Sequence, residues 1–321
     1  SRTVEETRGL GHDVEVVSPN GFRTVPCPTY PEIRLAVWPV GGVARQLDRF
    51  QPQAIHIATE GPLGLAARRY CRRRGLPFTT SFHTRFPEYI TARTMLPTAW
   101  GYAVQRWFHA PGERIMVTTP TLQQEMIDRR FPTPVMWARG VDTELFQPSR
   151  TDALDHLERP IFTYVGRVAV EKNLDAFLGL DLPGTKVVIG DGPQLATLKA
   201  RYPDAAFLGA KFGDDLARHY AASDVFVFPS TTDTFGLVLL EALASGVPVA
   251  AYPVTGPKDV LGDSGAGILR DDLRAAALDA LNIPPQVCRA HAERFAWPAT
   301  AREFVANLEP IATGGAPAAA A

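Results

Sequence analysis

The chain of 321 residues has three cysteines, four methionines and, through its first 148 positions, not one lysine. It also lacks any apolar run of the roughly 18 residues that a membrane-spanning helix needs. Cys27, Cys71 and Cys288 are scattered, without metal-ligand spacing. That excludes a zinc module and a disulfide scaffold, and the thiols are read as reduced, in a cytoplasmic protein. No Asp-x-Asp pair falls in a suitable turn, so no metal site is expected. No Gly-x-Gly-x-x-Gly follows an expected strand, and GDGP (Gly190–Pro193) does not supply that spacing. A dinucleotide oxidoreductase is therefore excluded. The opening residues, SRTVEETRG, are polar and read as carrying no signal peptide. No internal repeat is visible.

What is present is an ordinary globular composition, 45% hydrophobic and 21% charged, with length for about two domains. The net charge of −1 hides an asymmetry. Residues 1–148 hold 18 arginines against 13 acidic residues, while the remainder holds 15 basic and 21 acidic residues and all five lysines. Two domains with different surfaces are expected, the first facing something anionic.

Strand and helix patterns alternate along the whole chain. TVEETRG reads as a helix leading into a strand, VEVVS. An α/β domain normally begins on a strand, so the first strand and its loop are expected to be missing from this chain. AIHIAT, PFTTSFH and RIMVTTP read as further strands, with helices at GPLGLAARRYCRRRG and TLQQEMIDRRF, the latter capped by Thr119 or Thr121. Such alternation means βαβ units and parallel sheets. Residues 137–160 are loop-like, which places a boundary near 150. IFTYVG, TKVVIGDGP, AAFLGA, DVFVFPS and PVAAYPV then restart the pattern. The expected division is 1–148, 149–295, and a terminal helix in 296–321 crossing back to the first domain, followed by a disordered tail.

The chemistry concentrates where these second-half strands end, the edge at which open α/β sheets bind ligands. YVGRVAVEKN turns at Gly166 and sets Arg167 and Lys172 five residues apart. GDGPQLATLK follows the next strand with Gly190 and Gly192. In TTDTFGLVLLEALASG, Ser230 through Asp233 crowd a helix start, with Gly236 allowing close approach; a helix N-terminus suits a phosphate. Glu241 lies inside an otherwise apolar helix, which is costly without a partner. Sugar hydroxyls would serve, as would a solvent-facing position. Two cations near a diphosphate would stabilise the charge that develops as it leaves a sugar.

GRxxxEKN, GDGP, the carboxylate-x7-Glu element around FGLVLLEA, and GVDTELFQP, in this order, resemble the retaining glycosyltransferases of family 4. The resemblance covers nearly the whole chain. It implies a GT-B fold, two Rossmann-like doubly wound parallel-sheet domains facing a cleft. It implies a nucleotide-diphosphate sugar as donor and no obligatory cofactor or metal. Arg167 and Lys172 would hold the diphosphate, Glu241 the ribose, and Asp233, where the family usually has Glu, the donor-sugar hydroxyls. Gly166, Gly190, Gly192, Thr234 and the backbone of Phe235, Gly236 and Leu237 would line the donor, with Phe207, Leu208 and Gly209 against the base. His83 matches a family histidine at the reacting centre, though a lone histidine is also an ordinary structural residue.

ATEGPLG, SFHTRFPEY and TDTFGLVLLEA together resemble the bacterial glycolipid-synthesising subgroup: sulfoquinovosyl, glucosyl and glucuronosyl diacylglycerol synthases and GDP-mannose-dependent α-mannosyltransferases. A UDP-sugar is favoured over GDP-mannose as donor, and a lipid over a soluble saccharide as acceptor. The expected location is cytoplasmic, peripheral on the inner face of the membrane. Glu60 is an acceptor-side candidate, or else a helix N-terminal charge. Arg72, Arg73 and Arg74 would meet anionic headgroups while Trp100, Tyr102, Trp107 and Phe108 enter the interface; a solvated arginine face and a core-packing aromatic helix are the alternatives. A nucleotide-sugar-binding module without catalysis stays open. No nucleic-acid partner is expected, and the oligomeric state is not addressed by the sequence.

Overall fold

The computed structural model describes residues 2–27, 30–82, 98–149, 151–231 and 235–312. Its contacts divide the chain into a unit of Ser1–Ala138 with Ala301–Ala321 and a second unit of Arg139–Thr300. The division thus falls ahead of residue 148, inside the loop-like segment.

The second unit is built on six parallel strands. They are β7 (Ile161–Val165), β8 (Thr185–Ile189), β9 (Ala206–Gly209), β10 (Val225–Phe228), β11 (Val249–Ala251) and β12 (Gly267–Leu269). Their spatial order, β12-β11-β10-β7-β8-β9, is that of a doubly wound Rossmann sheet, with its order reversing between β7 and β10. All five residues of β7 are buried, as a parallel strand covered on both faces requires. Its alternate side chains serve two cores. Ile161 and Val165 pack with Phe226, Leu239 and Leu243, whereas Phe162 and Tyr164 pack with Phe177, Val188 and Val227. Each such buried side chain is worth about 1.5–3 kcal/mol.

The first unit holds four parallel strands in the order β3-β4-β5-β6: β3 (His56–Ile57), β4 (Thr79–Phe82), β5 (Arg114–Val117) and β6 (Pro134–Met136). An antiparallel pair, β1 (Thr24–Cys27) and β2 (Tyr30–Ala36), stands apart. β4 is wholly buried but polar. His56 satisfies it, with Nδ1 2.9 Å from Thr79 Oγ1 and Nε2 2.5 Å from Ser81 Oγ. Thr119 caps the helix Pro120–Asp128, accepting from Leu122 N at 3.1 Å. The C-terminal segment belongs to this unit: Asn307 donates to Met136 O, and Ile311 N donates to Gln53 O, both at 2.7 Å.

VEVVS forms no strand. His12 to Ser18 line a cavity of about 1810 Å³ together with Ile55 and Ile57, and no described strand pairs with them. A strand without a paired neighbour leaves its backbone groups unsatisfied by the protein and does not persist. The tail beyond residue 312 lies outside the described residues.

Candidate active site

Three strand ends meet beside the point where the second sheet reverses its order. After β7 the chain turns at Gly166, passes Arg167, makes a short 3-10 turn over Val170–Lys172 and leaves through Asn173. After β8 it turns through Gly190 and Gly192, and after β10 through Pro229 and Ser230. Backbone hydrogen bonds lock the first two loops: Gly166 N to Ile189 O at 3.0 Å, Val168 N to Asp191 O at 2.9 Å and Gln194 N to Val168 O at 3.1 Å. A β-carbon at position 190 would lie 1.8 Å from Gly166 O, and one at position 192 would lie 2.3 Å from Val168 O. The two glycines therefore seat the loop that carries the cations.

Asn173 ties this loop to the third. Its backbone is left-handed, φ 54°, and its side-chain amide donates to Pro229 O at 3.2 Å. Asparagine is among the few residues that tolerate this conformation. The sequence reading missed it, although an Asn at the start of a helix, in EKN-L, is a signal for such a turn.

Arg167 is 68% exposed, and its guanidinium lies 3.8 Å from Glu171 Oε1. An ion pair between two exposed side chains is worth little, so Arg167 can leave it for a stronger anion. Lys172 is half-buried.

The helix Leu237–Ala244 begins at Gly236, φ 77°, with no side-chain cap among the described residues. Ser230 does not cap it; it is buried and lies 3.5 Å from Glu171 O. The first amides of this helix face its N-terminal end, where an anion is favoured. Phe235 is buried in the core and Leu237 is partly exposed. Glu241 accepts a hydrogen bond from Tyr220 Oη at 3.0 Å. Burial pushes its carboxyl above the usual range, and the phenol's hydrogen bond offsets part of that rise. The Tyr220 phenol is itself pushed well up by burial and by the Glu241 charge.

Phe207 and Leu208 are half-buried on opposite faces of β9. Gly209 ends that strand, and its carbonyl accepts from Gly190 N at 2.9 Å. The second sheet thus gathers Gly166, Arg167, Lys172, Gly190, Gly192, Gly209 and, across the reversal, Phe235 to Glu241 along one edge. His83, Asp233 and Thr234 lie outside the described residues.

In the first unit, Glu60 follows β3 and is held by a polar network. Gln105 Nε2 lies 3.2 Å and His109 Nε2 3.3 Å from its Oε1, and His109 Nδ1 lies 2.8 Å from Thr80 Oγ1. The helix Thr98–His109 corrects part of the aromatic reading. Tyr102 and Phe108 are buried in the core, so neither enters an interface. Trp100, Val104 and Trp107 are 73%, 64% and 55% exposed, a stripe at helical spacing. Arg72 and Arg73 are exposed. Arg74, by contrast, pairs with Asp48 at 2.9 Å and lies over the Tyr70 ring. Arg68 is also structural, donating to Phe108 O and Trp107 O from a buried position. Burial holds the thiols of Cys71 and Cys288 up to about 12, which makes them unreactive as nucleophiles. Among the described residues no group of three or more His, Cys, Asp or Glu is placed to hold a metal.

The comparisons with known proteins follow this division. The family model for Glycosyltransferase Family 4 matches residues 2–145, and that for glycosyl transferases group 1 matches residues 159–282. A GDP-mannose-dependent alpha-mannosyltransferase of Mycobacterium tuberculosis is 33% identical, covering 84% of this chain and 78% of its own length. The chain belongs to glycosyltransferase family 4. A sulfoquinovosyl transferase of Arabidopsis thaliana is 31% identical, over 77% of this chain and 52% of that one. An alpha-monoglucosyldiacylglycerol synthase of Streptococcus pneumoniae is 28% identical, over 74% and 61%. A solved Anabaena protein in complex with UDP shares the GT-B fold, with a TM-score of 0.66 at 16% identity over 83% of this chain and 80% of that one. This family-4 glycosyltransferase therefore carries its cation loop and the helix start at Gly236 on the half matched by the group 1 model.

Proposed function

We propose that this glycosyltransferase moves a hexose from a nucleoside diphosphate sugar to a lipid acceptor, with retention at the anomeric carbon and without a metal. The convergence of Arg167, Lys172 and the helix start at Gly236 on one sheet edge carries the reading. A diphosphate leaving the sugar gains charge on its oxygens, and fixed cations and amides stabilise that charge most. Arg167 offers a planar fork and Lys172 a point charge. In same-face substitution the departing phosphate oxygen takes the acceptor's proton, so no side chain is assigned as general base. Glu241 takes the ribose, and His83 and Asp233 the sugar.

For the donor, the names of the relatives favour GDP-mannose over the UDP-sugar suggested by the sequence. Three of them, 31–33% identical, are GDP-mannose-dependent alpha-mannosyltransferases. Thermal-shift measurement against a panel of UDP- and GDP-sugars tests this: GDP-mannose is expected to stabilise most. Stabilisation by none of the panel would refute the reading, and a larger shift with a UDP-sugar would restore the other donor.

The lipid acceptor is supported by the name of the diacylglycerol-glucosylating relative, by the exposed stripe of Trp100, Val104 and Trp107, and by the exposed Arg72 and Arg73 on another helix of the same unit. Apolar side chains enter a bilayer interface while arginines meet anionic headgroups. Trp100→Ser combined with Val104→Ser is expected to weaken pelleting with phosphatidylglycerol vesicles about tenfold or more, the loss of two inserted side chains. Unchanged pelleting, or none by the wild type, would favour a soluble saccharide as acceptor.

A further inference from the structure

Glu241 is separated by 21 residues from the only described side chain that bonds to it. Tyr220 lies in the helix Gly213–Ala221 and is wholly buried. Its ring is fixed by an edge-on contact with Phe146, centroids 5.7 Å apart, and by Phe226 at 5.8 Å. The phenol has one proton to give. Glu241 Oε2 stands at 3.0 Å and Val238 O at 3.4 Å, so the carboxylate takes it. Oε2 is then the carboxylate oxygen occupied among the described residues. On a helix otherwise packed with leucine and alanine, Tyr220 is the one side chain among the described residues that hydrogen-bonds to this carboxylate.

We propose that Tyr220 is a positioning residue for the nucleotide: its hydroxyl holds Oε2 of Glu241 so that Oε1 is presented to the ribose diol. The inference rests on the ribose reading of Glu241. A hydrogen-bonded neighbour on a rigid helix fixes a binding group's orientation more closely than the group's own side-chain torsions can. The phenol's hydrogen bond also favours the ionised carboxylate, opposing part of the cost of burial. Tyr220 touches no substrate in this scheme. It shapes the ground-state complex, so it acts on affinity and leaves the reacting bonds to other groups.

The test is calorimetric binding of GDP and UDP, each against its 2′,3′-dideoxy counterpart, to the full chain. The wild type is expected to prefer the tighter-bound natural nucleotide over its dideoxy form by about tenfold or more, the worth of hydrogen bonds to a charged group. Glu241→Ala should abolish that preference. Tyr220→Phe removes one oxygen and should lose most of the preference, while its affinity for the dideoxy nucleotide stays within about twofold of wild type, marking an intact fold. In turnover its KM should rise about tenfold with kcat little changed. Phe146→Leu loosens the ring's packing but keeps the phenol, and should retain the preference. If Glu241→Ala keeps the full preference, the ribose reading itself fails. If Glu241→Ala loses it and Tyr220→Phe does not, the positioning role alone fails. Equal loss in Phe146→Leu and Tyr220→Phe, or collapse of the Tyr220→Phe fold, would make the bond a packing element and overturn the proposal.

Discussion

Arg167→Ala and Lys172→Ala are each expected to lower turnover by on the order of 10²–10³, the effect of removing one preorganised donor from a developing negative charge. The fold should survive both changes. Arg167 is 68% exposed and its partner Glu171 is 52% exposed, so the ion pair lost with it contributes little stability. Lys172 ends a three-residue turn whose backbone bond, Lys172 N to Ala169 O at 3.0 Å, does not involve the side chain. Donor affinity should fall less than turnover, because the diphosphate oxygens carry more charge in the transition state than in the bound sugar nucleotide. Single-turnover kinetics with saturating donor separates the two. Near-normal turnover in both variants would mean that the cations do not face the leaving group, and the proposed chemistry would lose its main support.

The parts of this site legible in the sequence are those written by local rules. Short apolar runs closed by glycine or proline marked the five sheet strands β7 to β11. The cations and glycines at their ends were visible because ligand edges of parallel sheets recur at strand C-termini. What escaped depended on distant neighbours. VEVVS has the composition of a strand, but strand formation needs a partner, and none of the described strands pairs with it. The short strands Pro134–Met136 and Gly267–Leu269 are held by their sheets and too brief to show a period. TAWGYAVQRWFH is apolar on several sides, so periodicity could not tell the buried Tyr102 and Phe108 from the exposed Trp100 and Trp107. The pairing of Tyr220 with Glu241 joins two helices across a strand and leaves no local trace. Gly190 was legible as a glycine at a strand end; the Gly166 carbonyl that it packs against was not.

Gly190→Ala is expected to make the closest collision of any methyl group added at the described glycines. The new β-carbon would lie 1.8 Å from Gly166 O and 2.9 Å from Gly166 C. Both are backbone atoms at the end of a buried strand, so no side-chain rotation relieves the overlap. Either the turn after β8 or the turn after β7 must move by more than an ångström. Overpacking of this kind costs about 1–3 kcal/mol and at times more, which for a unit of this size lowers the melting temperature by roughly 2–4 °C per kcal/mol. Turnover should fall further than stability suggests. The displaced loop carries both cations, and a misplacement of about 1 Å at a reacting centre costs on the order of 10² in rate. Gly262→Ala supplies the comparison: its φ of 49° is also left-handed, but a β-carbon there meets nothing within 4 Å. That variant should show the backbone cost alone, about 1–3 kcal/mol, with turnover retained. Thermal melts and donor turnover on the pair distinguish collision from strain. Equal turnover in the two variants would show that the contact between the β7 and β8 turns does not set the position of Arg167 and Lys172.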